Sequence, residues 1–134
     1  MSDRPGNTSV PVERAAGLVA VVGLWVFWSG VFLTGAGWIV TINVLLGAAI
    51  VTFGAYAAAW PTSGPVPVPT IVALAVTLFL GLVVVAAPFL LVVTYDILFW
   101  SNVVSGALVA VLSAVGSVGS WQLTRSTNRA GSAQ

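Results

Sequence analysis

Few side chains in this chain could do chemistry, and the two with most to offer are amides. Asn43 and Asn102 each lie roughly one turn inside an apolar run, where a primary amide needs protein partners because hydrocarbon supplies none. Two roles are open to such a pair. The side chains could bond neighbouring helices, at about 0.6 to 2 kcal/mol per interhelical bond, or they could face one another and line a polar vestibule for a solute.

The charged groups offer less. A charge at the centre of a membrane helix costs at least about 2.5 kcal/mol and so marks function, but every central position here is uncharged. Glu13 and Arg14 precede the first apolar run, and Asp96 lies in the turn before the last. Proton coupling through a carboxylate would fall to Glu13, whose place beside Arg14 reads as an interfacial anchor. Ser29, Ser101, Ser105, Ser113 and Ser117 have no His, Lys or intramembrane carboxylate to activate them. The chain has no His and no Cys, which removes imidazole catalysis, thiolate chemistry, disulfides and the usual zinc and haem ligands. No enzyme, metal or cofactor is expected.

The elements that position these residues follow from composition. Of 134 residues, 59% are hydrophobic and 5% charged, where a soluble domain would carry roughly 25% charged residues. Such a chain cannot present a water-compatible surface, so its first partner is a lipid bilayer. Its net charge of +1 is too small for a nucleic-acid footprint.

A helix crosses the hydrocarbon layer with about 20 apolar residues. Four stretches qualify, at about residues 15–33, 38–59, 70–92 and 97–123. Polar tails at 1–14 and 124–134 flank them. The first run is too long for a signal-peptide core and no clear A-x-A site follows it. Thr34-Gly35-Ala36-Gly37 makes so short a link that the second span must return antiparallel to the first.

All four Arg lie outside the outermost spans, at Arg4, Arg14, Arg125 and Arg129, so both termini are expected in the cytoplasm, as an even number of spans requires. The expected location is the cell membrane, multi-pass. Trp38, Trp60, Trp100 and Trp121 fall near span ends, where indole rings prefer the interface. Trp25 and Trp28 fall near mid-bilayer, and packing or lipid contact is their expected role rather than ligand stacking. The sequon Asn7-Thr8-Ser9 lies on the side assigned to the cytoplasm and reads as chance.

A single ungapped shift of 59 residues lays the first half on the second. Asn43 meets Asn102, Gly47 meets Gly106, Ile39 meets Leu98, and Ser29 falls on Pro88. The expected fold is therefore an all-α membrane protein of four transmembrane helices. These form two parallel tandem helical-hairpin repeats, residues 15–59 and 70–123, with pseudo-two-fold symmetry along the membrane normal. Between them, residues 60–69 carry four prolines, which favour a stiff extended path over helix. Docking of a partner on that linker is the less favoured reading. Pro88 interrupts the third span and is expected to kink it.

These features resemble the SPW-repeat membrane proteins, small prokaryotic proteins built from two-helix units and named for a Ser-Pro-Trp motif in the first helix of each unit. Ala87-Pro88-Phe89 stands where that motif occurs in the second unit, and Trp28-Ser29-Gly30 is the corresponding triplet of the first. The second triplet keeps the proline with an aromatic after it, and the first lacks the proline. The resemblance covers the whole transmembrane part and implies the architecture and a multi-pass location. It carries no catalytic residue over.

Small residues recur at helix-packing spacing, as Ala16, Ala20 and Gly23, then Gly47, Gly54 and Ala58, then Gly106, Ala110 and Ala114. Most are expected between the hairpins, and any surplus would suit a second copy or another integral membrane protein. The leading expectation is a structural, scaffold or accessory-subunit role. The alternative is a channel or transporter for a neutral or weakly polar solute around Asn43 and Asn102.

Overall fold

The computed structural model describes residues 5–33, 37–61 and 65–132, all helical apart from the connections. Helix α1 runs Pro5–Leu33, α2 Trp38–Ala59, α3 Thr70–Leu90 and α4 Asp96–Ser132. Each contains a stretch long and apolar enough to cross a membrane: Val10–Leu33, Trp38–Ala59, Thr70–Leu90 and Asp96–Leu123. This is the architecture of a multi-pass membrane protein. Residues 34–36 of the glycine-rich link and 62–64 of the proline-rich linker lie outside the described residues, as does Arg4, and so do the side chains of the sequon.

The outer helices are longer than their apolar runs. Polar residues on both flanks continue the helices, α1 starting at Pro5 and α4 ending at Ser132. Hydropathy marks where a helix leaves the hydrocarbon and says nothing of where its backbone bonds stop. Pro11 sits within α1 and Pro88 within α3, the latter two residues before the last helical one. At the start of α2, Gly37 takes φ 93°, a left-handed conformation that glycine adopts without a Cβ penalty.

The helices pack in a ring. α1 lies against α2 and α4, and α3 lies against α4 and α2. Sequence neighbours run antiparallel, because residues near the start of one meet residues near the end of the next. Contact is close enough to need glycine. A Cβ on Gly47 would stand 2.4 Å from the Phe27 nitrogen, and one on Gly106 would stand 2.6 Å from the Gly81 carbonyl oxygen. Without a hydrophobic force between helices in lipid, such close backbone approach supplies the packing energy.

Three apolar layers stack along the bundle. Val12, Ala16, Ala57, Ala73 and Leu74 form the layer nearest the termini, and Val19, Val26, Ile50, Val84 and Val109 fill the middle. Ile39, Ala87 and Leu98 close the end that carries the two hairpin turns.

Burial is periodic across the halves, with a register that differs from the ungapped shift. The buried positions of α1 from Val12 on are Val12, Ala15, Ala16, Val19, Gly23, Val26, Ser29 and Gly30. Those of α3 are Thr70, Ala73, Leu74, Thr77, Gly81, Val84, Ala87 and Pro88, each 58 residues further on. The buried Ile39, Asn43, Gly47, Ile50, Gly54 and Ala57 of α2 are matched 59 residues on by Leu98, Asn102, Gly106, Val109, Ser113 and Gly116 of α4. The extra residue lies in the turn, since residues 34–37 join the first pair of helices and 91–95 the second. Pro88 therefore corresponds in burial to Gly30, and Ser29 to Ala87.

Candidate functional site

Asn43 and Asn102 meet. The Asn43 amide nitrogen donates to the Asn102 carbonyl oxygen over 2.9 Å, and the Asn102 nitrogen donates to the Asn43 oxygen over 3.0 Å. Both residues have no solvent-exposed surface. They sit on α2 and α4, at opposite corners of the ring, between the middle apolar layer and the layer at the turns.

Local packing explains how the pair comes together. A Cβ on Gly30 would lie 3.1 Å from the Val40 Cα and 3.4 Å from the Asn43 Cβ, so the bare glycine lets α2 approach α1 at this level. Asn43 then reaches Ser29, whose hydroxyl oxygen accepts from the Asn43 nitrogen at 3.4 Å. The Ser29 hydroxyl donates in turn to the Val26 carbonyl at 2.9 Å. Both N–H groups of Asn43 are thus used, one by Asn102 and one by Ser29.

The chemistry available there is that of neutral hydrogen bonds. Ser29, Asn43 and Asn102 hold no group that titrates near neutrality, and the amides direct toward each other the donors and acceptors that a solute would need. Cavities of about 140, 310, 420 and 370 Å³ open elsewhere, and none of these four is lined by either Asn. Among the described residues no three His, Cys, Asp or Glu side chains come together to hold a metal.

Further polar contacts cross between helices, those of Trp25 with Ser101 and Thr77 with Ser113 among them, and neither was legible in spacing. Trp25, about half exposed, donates its indole N–H to the Ser101 hydroxyl at 2.9 Å, joining α1 to α4. The Thr77 and Ser113 hydroxyls stand 2.7 Å apart in the buried contact of α3 with α4. An indole N–H at that depth has no water to satisfy it, which is the signal that could have pointed to Ser101. The Ser117 hydroxyl is buried with no hydrogen-bond partner among the described residues.

The remaining residues singled out in the sequence occupy packing and boundary positions. Trp28 is exposed and stacks edge-on with Phe27, while Phe89 meets Phe99 with ring centroids 4.8 Å apart. Ser29, Gly30, Ala87, Pro88, Gly47 and Gly106 are buried. Trp38, Trp60, Trp100 and Trp121 are exposed at or near span ends. The linker is tied to its own chain: the Tyr56 hydroxyl lies 2.8 Å from the Val68 carbonyl oxygen and 3.2 Å from that of Val66, one proton serving either. The Thr70 hydroxyl donates to the Trp60 carbonyl at 2.5 Å.

No protein-family model, curated protein or solved structure matches this chain.

Proposed function

We propose that this protein is a structural, scaffold or accessory subunit of a membrane assembly, built as two parallel hairpin repeats about a pseudo-two-fold axis along the membrane normal. The observation that carries the reading is the closed amide pair. A solute pathway through Asn43 and Asn102 needs donors and acceptors that face a cavity, whereas these face each other and are fully buried. An interior without an ionisable group at the pair and with glycine contacts too tight for a Cβ suits a bundle that keeps one shape.

Support for the repeat comes from the matched burial of α1 with α3 and α2 with α4, and from the pair itself. Only residues close to a two-fold axis can bond reciprocally to their own counterparts. The one-residue step in the turn also moves the motif comparison. In the 58-residue register Ala87-Pro88-Phe89 lies over Ser29-Gly30-Val31, so the two copies together keep the serine, the proline and an aromatic. On that resemblance we propose membership of the SPW-repeat family, and a prokaryotic origin with it. Arg14, Arg125 and Arg129 lie on the flanks nearest the two termini, which supports a cytoplasmic position for both.

Affinity purification of the chain from its native membrane in mild detergent, with mass analysis of what accompanies it, tests the role. A stoichiometric membrane-protein partner is the expected result. Purification alone, together with solute flux in proteoliposomes that disappears in the Asn43→Leu, Asn102→Leu double variant, would overturn it in favour of a channel or transporter.

A further inference from the structure

Beyond the last apolar residue of its span, Leu123, α4 continues as helix to Ser132. Trp121, Arg125 and Arg129 follow at intervals of four and therefore share one face of that extension. With Gln122 and Ser126 they line a groove of about 370 Å³. The Arg125 guanidinium carbon stands 4.5 Å from the centre of the Trp121 ring. That cation–π contact sets the guanidinium over the ring, and a guanidinium has five N–H donors with which to bond an anion.

Depth identifies the anion. At about 1.5 Å per residue, Arg125 lies about 3 Å past Leu123, within the headgroup layer that adds roughly 5 to 8 Å to each side of the hydrocarbon, and the Arg129 backbone lies about 9 Å past it, at the outer edge of that layer, from which its long side chain reaches back. Trp121 lies within the span, where its ring borders acyl chains. No residue lining the groove is acidic; Asp96 opens α4 at its far end, and Glu13 lies on α1 beside Val12, part of the apolar layer that Leu123 packs against at the near end. We propose that this groove binds the phosphate of an anionic phospholipid, with Arg125 and Arg129 on the phosphate oxygens, Gln122 and Ser126 as neutral donors, and Trp121 against the upper acyl chain. The site is independent of the scaffold reading and requires only that α4 crosses the membrane.

The test uses the full chain in mild detergent, titrated with phosphatidylglycerol or phosphatidylcholine and followed by native mass spectrometry. One phosphatidylglycerol retained in preference to phosphatidylcholine is the expected result. Each Arg near an anionic surface accounts for about a fivefold gain, so Arg125→Gln with Arg129→Gln should lower retention roughly thirtyfold. Arg125→Lys should give a smaller loss, because it keeps the charge and loses the guanidinium. It also serves if the double variant fails to hold its helical circular dichroism. Arg14→Gln, a change outside the groove, should lower retention by no more than the roughly fivefold of one surface charge. Equal retention of the two lipids, or an equal loss in Arg14→Gln, would overturn the proposal. Displacement of phosphatidylglycerol by excess inorganic phosphate would make this a site for free phosphate and overturn the lipid assignment.

Discussion

Asn43 and Asn102, 59 residues apart in the chain, each give the other both the donor and the acceptor of a two-bond amide pair. The consequence for stability is asymmetric. Two amides that satisfy each other cost little to keep in hydrocarbon, and one amide alone costs much more, because its partner's groups are left without water or protein to bond.

Asn43→Leu should therefore destabilise the bundle by about 1 to 3 kcal/mol, the cost of an orphaned buried amide. Adding Asn102→Leu should cost less than the sum of the two single changes, since the second removes the orphan created by the first. Unfolding of all three variants in mild detergent, arranged as a double-mutant cycle, measures the coupling. Strict additivity would mean that the two side chains do not depend on one another.

Gly47 and Gly106 make a paired prediction. A methyl on Gly47 would fall 2.4 Å and 2.6 Å from backbone atoms of Phe27, and on Gly106 within 2.8 Å of the Val85 nitrogen. Backbone cannot rotate away as a side chain can, so the helices must separate. Each Gly→Ala change should cost about 1 to 3 kcal/mol by overpacking. Gly17→Ala, where a Cβ meets nothing within 4 Å, should instead stabilise α1 by up to about 1 kcal/mol through helix propensity. Thermal unfolding of the three variants in detergent separates the close contact from the residue type.

How far the sequence revealed this arrangement depended on the kind of signal. The four spans were legible because a run of apolar residues is a local property, and the bounds of α2 and the start of α3 agree with it. The Asn43 and Asn102 match was legible because each lies five residues past the start of its apolar run, at 38 and 97. The register of α1 on α3 was not, since one ungapped shift cannot absorb an extra residue in the second turn, and Ser29 against Pro88 offered no contradiction. The helical ends beyond the spans were hidden for another reason. Ser, Thr and Arg lower hydropathy while remaining acceptable in a helix, so Thr124 to Ser132 read as tail. Contacts such as Trp25 with Ser101 span 76 residues and depend on which helices become neighbours, which no local pattern states.

The Trp25 to Ser101 bond should couple α1 to α4 measurably. Trp25→Phe keeps most of the ring and removes the N–H, and Ser101→Ala removes the acceptor. Each should cost about 0.6 to 1.7 kcal/mol, the range of interhelical side-chain bonds in membrane bundles. The double variant should cost little more than either single one, because both delete the same bond. Detergent unfolding of the four proteins checks this, and additive losses would assign the Trp25 contribution to ring packing instead.

Val92 supplies the last prediction. It lies in the five-residue turn between α3 and α4, is mostly exposed, and takes φ 50°, the only positive value at a non-glycine residue among those described. A β-branched side chain is poorly suited to the left-handed region, at a cost of about 1 to 3 kcal/mol. The shorter turn of the first hairpin meets a similar demand with Gly37 at φ 93°. Val92→Gly should thus relieve the strain, offset in part by the greater freedom of glycine in the unfolded chain, for a net gain of about 0.5 to 1 kcal/mol. Val92→Ala, which retains a Cβ, should recover less of it. A higher unfolding midpoint in detergent for Val92→Gly than for Val92→Ala checks the argument; the reverse order would show that the exposed valine stabilises the turn through its side chain.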